Sequence, residues 1–240
     1  MGGIIIGLAF LMAALAATKA RASSSEPASA SSSLDKITRS GDPSKMLAAA
    51  QAASKAGNGQ LATQLSVKAA DANVMAPGAV FPSPFPSVTA PAWTKFVKLL
   101  KGSDPREITA AYHLGLFAFG MPRLADLGLA SNPKKVQKNG RQVWDADWTA
   151  PASLESFLAS PSFQYHTFVK ACIADLHEIL AKMPHAVGVE IDGQPATPSG
   201  LLAVTKQAGL KGLESWIASE DVRKTHANTT AAFKKLNGIF

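Results

Sequence analysis

The sequence predicts a mainly α-helical protein, and three observations carry that prediction. The 240-residue chain is 47% hydrophobic but only 7% aromatic, because much of its apolar content is alanine, the residue with the highest helix propensity. Two Asp-Pro pairs, Asp42-Pro43 and Asp104-Pro105, have the form of helix starts, with aspartate as N-cap and proline in the first turn. The only strand-like patch is residues 187–191, which precede the turn Asp192-Gly193.

The first segment of the chain is apolar. Residues 3–17 read GIIIGLAFLMAALAA and are followed by Lys19 and Arg21. This run is shorter than the roughly 20 residues of a typical membrane-spanning helix. We expect residues 1–20 to form a hydrophobic helix that inserts into a membrane through 3–17 or is embedded in other proteins of an assembly. A signal peptide remains an alternative, with Ala20-Arg21-Ala22 as its cleavage site.

A linker and a helical hairpin follow. Residues 21–41 are predicted to be a Ser/Ala-rich linker, because the stretch SSSEPASASSS has nothing apolar enough to pack. Residues 42–76 are predicted to form two short helices separated by Gly57-Asn58-Gly59, a helix-stop signal. A hairpin of this size is not stable alone, so we expect it to dock on a neighbouring part of the chain.

The next segment is proline-rich. Residues 77–92 contain five prolines together with Phe81 and Phe85, which predicts an extended connector lying against a surface. Residues 93–240 are then predicted to form one helical domain that opens with an amphipathic helix at 93–100 and a helix start at 103–105. Its further helices are predicted at 107–119, 122–128, 151–160, 161–183, 197–208, 210–218 and 220–236.

The segment 115–128, GLFAFGMPRLADLG, carries the most specific pattern in the chain. Its glycines allow close backbone approach, Met121-Pro122 begins a short helix, and Gly128 ends it. The segment resembles the G-L-M-Q-x-M-P-x-T-A-x-x-L-G strip of the lysozyme-like, lytic-transglycosylase superfamily, and in particular the lysozyme-like domains of phage virion proteins. The positions that carry this likeness are Gly115, Leu116, Met121, Pro122 and Gly128.

Three further pieces match that superfamily in the same order along the chain. They are WDADW at 144–148, FLASPSFQ at 157–164, and SGLLA at 199–203 continuing to Gly209-Leu210. The resemblance therefore spans about residues 100–240 and implies a lysozyme-like fold. It also implies a contact with peptidoglycan, in which aromatic rings stack on sugars and an amide binds a hydroxyl group. The candidate glycan-binding residues are Trp144, Trp148, Gln164 and Tyr165, and we expect at least one of the tryptophans to pack in the core instead.

Catalysis in this superfamily needs a glutamic acid that protonates the glycosidic oxygen from an apolar cleft. That glutamate lies about fifteen residues before the strip, where this chain reads LLKG at 99–102 and has no carboxylate. The nearest candidate for general acid is Glu107, although a glutamate in a first helical turn usually serves the helix dipole. The glutamine of the family's strip is replaced by Ala118. Both departures favour a degenerate, non-catalytic domain.

Charge and ligand chemistry limit the alternatives. The net charge of +7 and pI of about 9.5 suit anionic partners, but no run of five basic residues occurs, which argues against a nucleic-acid face. The single cysteine, Cys172, excludes an intrachain disulfide and is expected to be a buried, inert thiol. The five histidines lack metal-ligand spacing, so neither a metal nor a cofactor is expected.

These observations predict a virion-associated structural, tail or ejection protein of a bacteriophage. Its partners would be other virion proteins, further copies of itself, and possible contacts with peptidoglycan and the host membrane or periplasm. Two alternatives remain open: an active peptidoglycan lytic glycosidase or transglycosylase with Glu107 as general acid, and a basic module that binds nucleic acid.

Overall fold

The structure is a computed structural model that describes residues 36–138 and 140–240. The predicted hydrophobic helix over 1–20 and most of the predicted linker over 21–41 therefore lie outside the described residues. The linker's last residues are described, and 36–39 form one helical turn. Within the described ranges, no helix is both long and apolar enough to cross a membrane.

The described chain is mainly helical, as predicted. Its two small sheets are antiparallel hairpins. The α-helices are α1 (Pro43–Lys55), α2 (Gly59–Met75), α3 (Ala90–Leu100), α4 (Met121–Asp126), α5 (Leu154–Ala159), α6 (Pro161–Lys182), α7 (Pro198–Ala218), α8 (Glu220–Thr225) and α9 (Ala227–Leu236), with a 3₁₀ turn at Pro184–Ala186. The strands are β1 (Ala130–Lys138), β2 (Arg141–Trp148), β3 (Glu190–Ile191) and β4 (Gln194–Pro195).

Contacts group the described residues into two compact units. The first unit comprises the described residues up to Ala79 together with Gly102–Thr167, and the second comprises Val80–Lys101 together with Phe168–Phe240. Helix α6 begins in the first unit and continues in the second.

The first unit opens with the predicted helical hairpin. Asp42 caps α1 by accepting from the backbone N–H of Ser44 at 3.0 Å, and Asn58 caps α2 by accepting from the N–H of Leu61 at 3.1 Å. The two helices bury one face each, because apolar residues recur at helical spacing. The buried residues of the pair are Met46, Ala50, Ala53, Leu65, Ala69 and Val74.

The predicted helix over 107–119 is wrong, because the chain makes two tight turns there. The backbone N–H of Thr109 donates to the carbonyl of His113, and Leu114 and Phe119 exchange two backbone hydrogen bonds of 2.9 Å. A left-handed backbone interrupts any helix in this stretch. The residues with positive φ are Tyr112 (62°), Gly115 (67°) and Ala118 (49°).

The predicted helix start at 103–105 is wrong for a related reason. Asp104 accepts from the backbone N–H of Arg106 at 2.7 Å, which closes a turn two residues later. Asp104 therefore uses its capping chemistry for a turn, whereas Asp42 uses the same chemistry to begin α1.

The hairpin of β1 and β2 was not predicted from the sequence. The two strands pair antiparallel, with Lys135 opposite Trp144 and Val136 opposite Val143, and an irregularity lies between Ser131 and Lys134. The WDADW piece at 144–148 is therefore part of strand β2. In contrast, the predicted strand patch over 187–191 is confirmed in part: only Glu190–Ile191 form β3 of the β3–β4 hairpin, and residues 187–188 are a turn.

The second unit is built around two apolar clusters. One gathers side chains from α6, α7, α9 and the β3–β4 hairpin, including Ile179, Ile191, Leu213, Trp216 and Phe233. The other is aromatic and contains Phe85, Trp93, Phe96, Phe168 and Phe240, with ring centroids 5.1 to 6.3 Å apart. Its members include Phe85 from the proline-rich connector, so the prediction that this segment lies against a surface is confirmed.

The last helices differ from the prediction in one place. The predicted break between 197–208 and 210–218 is confirmed, because Gly209 has a φ of 71° inside α7. The predicted helix over 220–236 is broken at His226, whose φ of −98° and ψ of 58° are non-helical. This residue ends α8 and precedes α9.

Candidate functional site

Gln164 is completely buried, and its amide is fully used inside the first unit. Its Oε1 accepts from the backbone N–H of Leu116 at 2.7 Å. Its Nε2 donates to the backbone carbonyls of Pro105 and Phe157, both at 2.8 Å. The side chain therefore ties the 102–120 segment to α5 and α6, and it presents no free hydrogen-bonding group to a glycan.

Two of the strip residues, Gly115 and Leu116, contact this amide. A side chain at Gly115 would collide with the Gln164 amide, and the positive φ of Gly115 also favours glycine. Leu116 and Met121 are buried, and Pro122 lies in the first turn of α4. Gly128, with a φ of 76°, follows the end of that helix, where its N–H donates to the carbonyl of Ala125. Each of these strip residues thus has a structural role, and Gly115 and Leu116 have theirs against Gln164.

Glu107 lies in a turn, and its side chain is exposed. Its backbone N–H donates to the carbonyl of Asp104 at 3.3 Å, and its carbonyl accepts from the N–H of Gly115 at 2.8 Å. These backbone contacts hold the turn together. A glycosidase general acid instead works from an apolar cleft.

Trp148 and Tyr165 take part in packing. The ring of Trp148 lies 5.6 Å from that of Phe157, centroid to centroid, and Phe157 is fully buried. Tyr165 is only 7% exposed. Tyr165 therefore offers little aromatic surface to a ligand. Trp148 is half-buried and packs on the core through Phe157, in line with the expectation that one tryptophan packs in the core.

Trp144 differs from the other candidates, because 40% of its surface is exposed. Since side chains alternate across a strand, the cross-strand pairs Lys135–Trp144 and Gln137–Gln142 share one face of the β1–β2 hairpin. All four side chains are exposed, and the Lys135 ammonium lies 5.6 Å from the centre of the Trp144 ring. We call these four residues the Trp144 face.

A cluster that sequence reasoning missed stabilises the same hairpin. The Lys138 ammonium donates to the Tyr112 hydroxyl at 2.9 Å, lies 4.4 Å from the centre of its ring, and pairs with Asp145 at 3.0 Å. The hydrogen bond to Tyr112, and then that to Asp145, raises the pKa of Lys138. The hydrogen bond from Lys138 lowers the pKa of Asp145. Tyr112 is 26 residues from Lys138 in sequence, so the left-handed turn at Tyr112 and the paired strands are needed to bring the three residues together.

The chemistry of this surface suits an anionic ligand that has flat apolar faces. An exposed indole offers a stacking surface, two amides offer both donors and acceptors, and Lys135 offers a cation. Lys134 and Arg141 are also exposed on the hairpin, but the same alternation puts them on its opposite face. Lys138 is already held by Tyr112 and Asp145.

The remaining candidates carry no site. Cys172 is buried, as expected. Within residues 36–138 and 140–240, no group of three or more His, Cys, Asp or Glu residues could hold a metal ion.

Comparison with known proteins adds no relative. No family model matches the chain, and neither the curated proteins nor the solved structures gave a match. The lysozyme-like resemblance therefore rests on the four motif pieces alone.

Proposed function

We propose that this protein is a non-catalytic binding component that contacts an acidic glycan of the peptidoglycan type through the Trp144 face. The observation that carries the proposal is the exposed Trp144 ring, which shares one strand face with Lys135, Gln137 and Gln142. An indole can stack on a sugar ring, while the amides bind hydroxyl groups and the lysine pairs with a carboxylate.

We further propose that this binding role belongs to a tail or ejection component of a bacteriophage particle, and the motif resemblance supports this assignment. Two features support a non-catalytic role. Gln164 is committed to backbone hydrogen bonds, and the side chain of Glu107 is exposed in a turn.

The test is co-sedimentation of the full chain with purified peptidoglycan sacculi. We expect Trp144→Ala to weaken binding about tenfold, the equivalent of roughly 1.4 kcal/mol of stacking. Leu47→Ala is the matched control, because Leu47 is also an exposed apolar residue of the first unit, and it should bind like the parent. Equal binding by the parent and Trp144→Ala would contradict the proposal.

The same preparation tests catalysis in a zymogram. We expect no clearing by the parent chain. Clearing that is abolished by Glu107→Gln would show a lytic enzyme with Glu107 as general acid and would overturn the non-catalytic assignment.

A second candidate ligand is single-stranded nucleic acid, which also binds exposed aromatic rings flanked by cations. The observation that favours it is the set of exposed basic residues on the two faces of one hairpin: Lys135 beside Trp144, and Lys134 and Arg141 on the opposite face. Three phosphate contacts predict a slope of log K against log salt near −2. Binding to an oligonucleotide with that slope, lost in Trp144→Ala, would favour this ligand over a glycan.

A further inference from the structure

A second surface with binding chemistry lies in the second unit, away from the β1–β2 hairpin in sequence. It is a groove of about 470 Å³ along α3, which we call the α3 groove. It is lined by Val80, Pro91, Thr94, Lys95, Lys98 and Leu99, which all belong to the segment 80–101.

The groove arises because α3 has two different faces. Trp93, Phe96 and Val97 are completely buried on one face. Positions 91, 94, 95 and 98 follow the i, i+3, i+4, i+7 spacing, which places their side chains together on a second face of the helix. The groove lies along this second face and extends over about 10 Å, the rise of seven helical residues.

Two hydrogen bonds fix the second wall of the groove. The backbone N–H of Phe81 donates to the Thr94 hydroxyl at 2.8 Å, and that hydroxyl donates to the Phe81 carbonyl at 3.3 Å. Phe81 is buried, whereas its neighbour Val80 is 61% exposed. The connector therefore holds an apolar side chain beside the helix, and the Thr94 hydroxyl is already engaged.

The charged residues of the segment that lines the groove are all basic. Residues 80–101 contain Lys95, Lys98 and Lys101 and no acidic residue. Burial, and then repulsion from Lys98, lowers the pKa of Lys101. The apolar stems of long lysines can line a groove while their ammonium groups stay at its rim.

We propose that the α3 groove binds an anionic phospholipid, with part of one acyl chain in the groove and the phosphate against Lys95 and Lys98. Charge complementarity selects an anionic head, and the apolar walls select an apolar body. An acyl chain needs no hydrogen-bond partners. An extended peptide would bury backbone N–H and C=O groups against the groove, where the hydroxyl of Thr94 is already bonded to Phe81. This site is independent of the Trp144 face.

The test uses isotopically labelled full chain and monomeric dihexanoyl phosphatidylglycerol, below its micelle concentration. We expect the methyl signals of Val80 and the amide of Thr94 to shift on titration. Dihexanoyl phosphatidylcholine should bind about tenfold more weakly, because it has no net charge, and glycerol phosphate should give no shift, because it has no acyl chain. These two probes separate the head group from the chain.

Variants locate the binding. Lys95→Gln with Lys98→Gln should weaken phosphatidylglycerol binding about thirtyfold, or about fivefold per lysine near an anionic lipid. Val80→Asp should abolish binding of both lipids. Lys211→Gln with Lys235→Gln removes two exposed lysines elsewhere in the second unit and should change nothing.

Three outcomes would overturn the proposal: equal affinity for the two lipids, shifts that avoid Val80 and Thr94, or an unchanged affinity in the Lys95/Lys98 variant. Shifts at the groove with an acidic amphipathic peptide but with neither lipid would assign the groove to a protein partner instead.

Discussion

Gln164 is a residue type that often binds ligands, but here its amide is buried and bonds only to backbone groups of the protein. It satisfies one N–H and two carbonyl groups that belong to three separate segments. Of the three, the Phe157 carbonyl also accepts a longer hydrogen bond, of 3.4 Å, from the backbone N–H of Ser160. Buried backbone groups left without a partner each cost about 1–3 kcal/mol. Conservation of such a glutamine through a family would therefore report on folding even where no ligand is bound.

We expect Gln164→Ala to lower the free energy of unfolding by about 3 kcal/mol, because it orphans buried groups and leaves a cavity. Chemical denaturation followed by circular dichroism measures the change. Gln207→Ala, at an exposed position of α7, is the control and should stay within about 0.5 kcal/mol of the parent. A Gln164→Ala variant with parental stability would refute the structural role.

The Asp145 carboxylate gives a prediction about pH at the same scale. Its pKa is lowered in the folded state by Lys138, so its contribution to stability is present above the unfolded pKa of about 3.9 and is lost as pH falls through the folded value. The pair is about one-third exposed, so the contribution is at most about 1 kcal/mol. The stability difference between the parent and Asp145→Asn should therefore shrink between about pH 5 and pH 2.

The contribution of Lys138 to stability depends on pH in the opposite direction, because it is lost at high pH. The pKa of Lys138 is raised, so its contribution is lost only as pH rises above about 10.4. Lys138→Met is the control, because it should remove the pH dependence that the Asp145–Lys138 pair causes at both low and high pH. Urea titrations at a series of pH values measure these changes in the free energy of unfolding. A constant difference between the parent and Asp145→Asn from pH 7 to pH 2 would contradict the pairing.

At the scale of elements, helices were predictable where capping and an apolar stripe agree. Asp42-Pro43 begins α1 as predicted, whereas the similar Asp104-Pro105 makes only a turn. The difference lies downstream, because the stretch after Asp104 reaches Tyr112 and Gly115, whose left-handed backbone no helix accommodates. Local sequence contains the glycine but not the Gln164 amide that occupies the space beside it, 49 residues later.

The β1–β2 hairpin escaped prediction for a different reason. Strand β1 reads ASNPKKVQK, in which Val136 is the only apolar residue between Ala130 and the turn, so no alternation marks it. Pairing with β2 and the clamp of Lys138 between Tyr112 and Asp145 stabilise it instead. Among the candidate ligand residues, the sequence could nominate Trp144, but only the strand register adds Lys135, Gln137 and Gln142 to its face.

The start of α6 depends on a cap supplied by another helix. Asp71 of α2 accepts from the Ser160 hydroxyl at 2.9 Å and from the backbone N–H of Ser162 at 2.8 Å. A carboxylate at a helix N-terminus satisfies an otherwise unpaired N–H and interacts favourably with the helix dipole. This contact docks the α1–α2 hairpin onto the first turn of α6, as the small size of the hairpin led us to expect.

We expect Asp71→Ala to reduce the free energy of unfolding by about 1–2 kcal/mol, the usual cost of losing a cap. Asp71→Asn keeps an acceptor and should lose less than half as much. Hydrogen exchange should be faster at Ser162 and Phe163 in Asp71→Ala, while the amides of α9 stay protected. An unchanged exchange rate at Ser162 would contradict the role of Asp71 as a cap.

At the scale of the whole molecule, the sequence places a domain start near residue 93, whereas the contacts describe units that reach further towards the N-terminus. A fragment of residues 93–240 would lose the Asp71 cap and the buried Met46, Leu65 and Val74 of the helical hairpin. It would also lose Phe81, whose backbone holds the Thr94 hydroxyl of α3. Both units would then be incomplete.

We therefore expect the 93–240 fragment to be less stable than a fragment of residues 36–240 by more than about 4 kcal/mol, beyond the range of ordinary point substitutions. Urea unfolding of the two fragments beside the full chain measures this difference, and the 36–240 fragment is the control because it keeps every contact cited above. Equal midpoints and slopes for the two fragments would show that residues 93–240 fold alone. A partly unfolded fragment would give no clearing whether or not the folded protein is an enzyme. The zymogram described above must therefore use the full chain, because only the full chain makes a negative result informative.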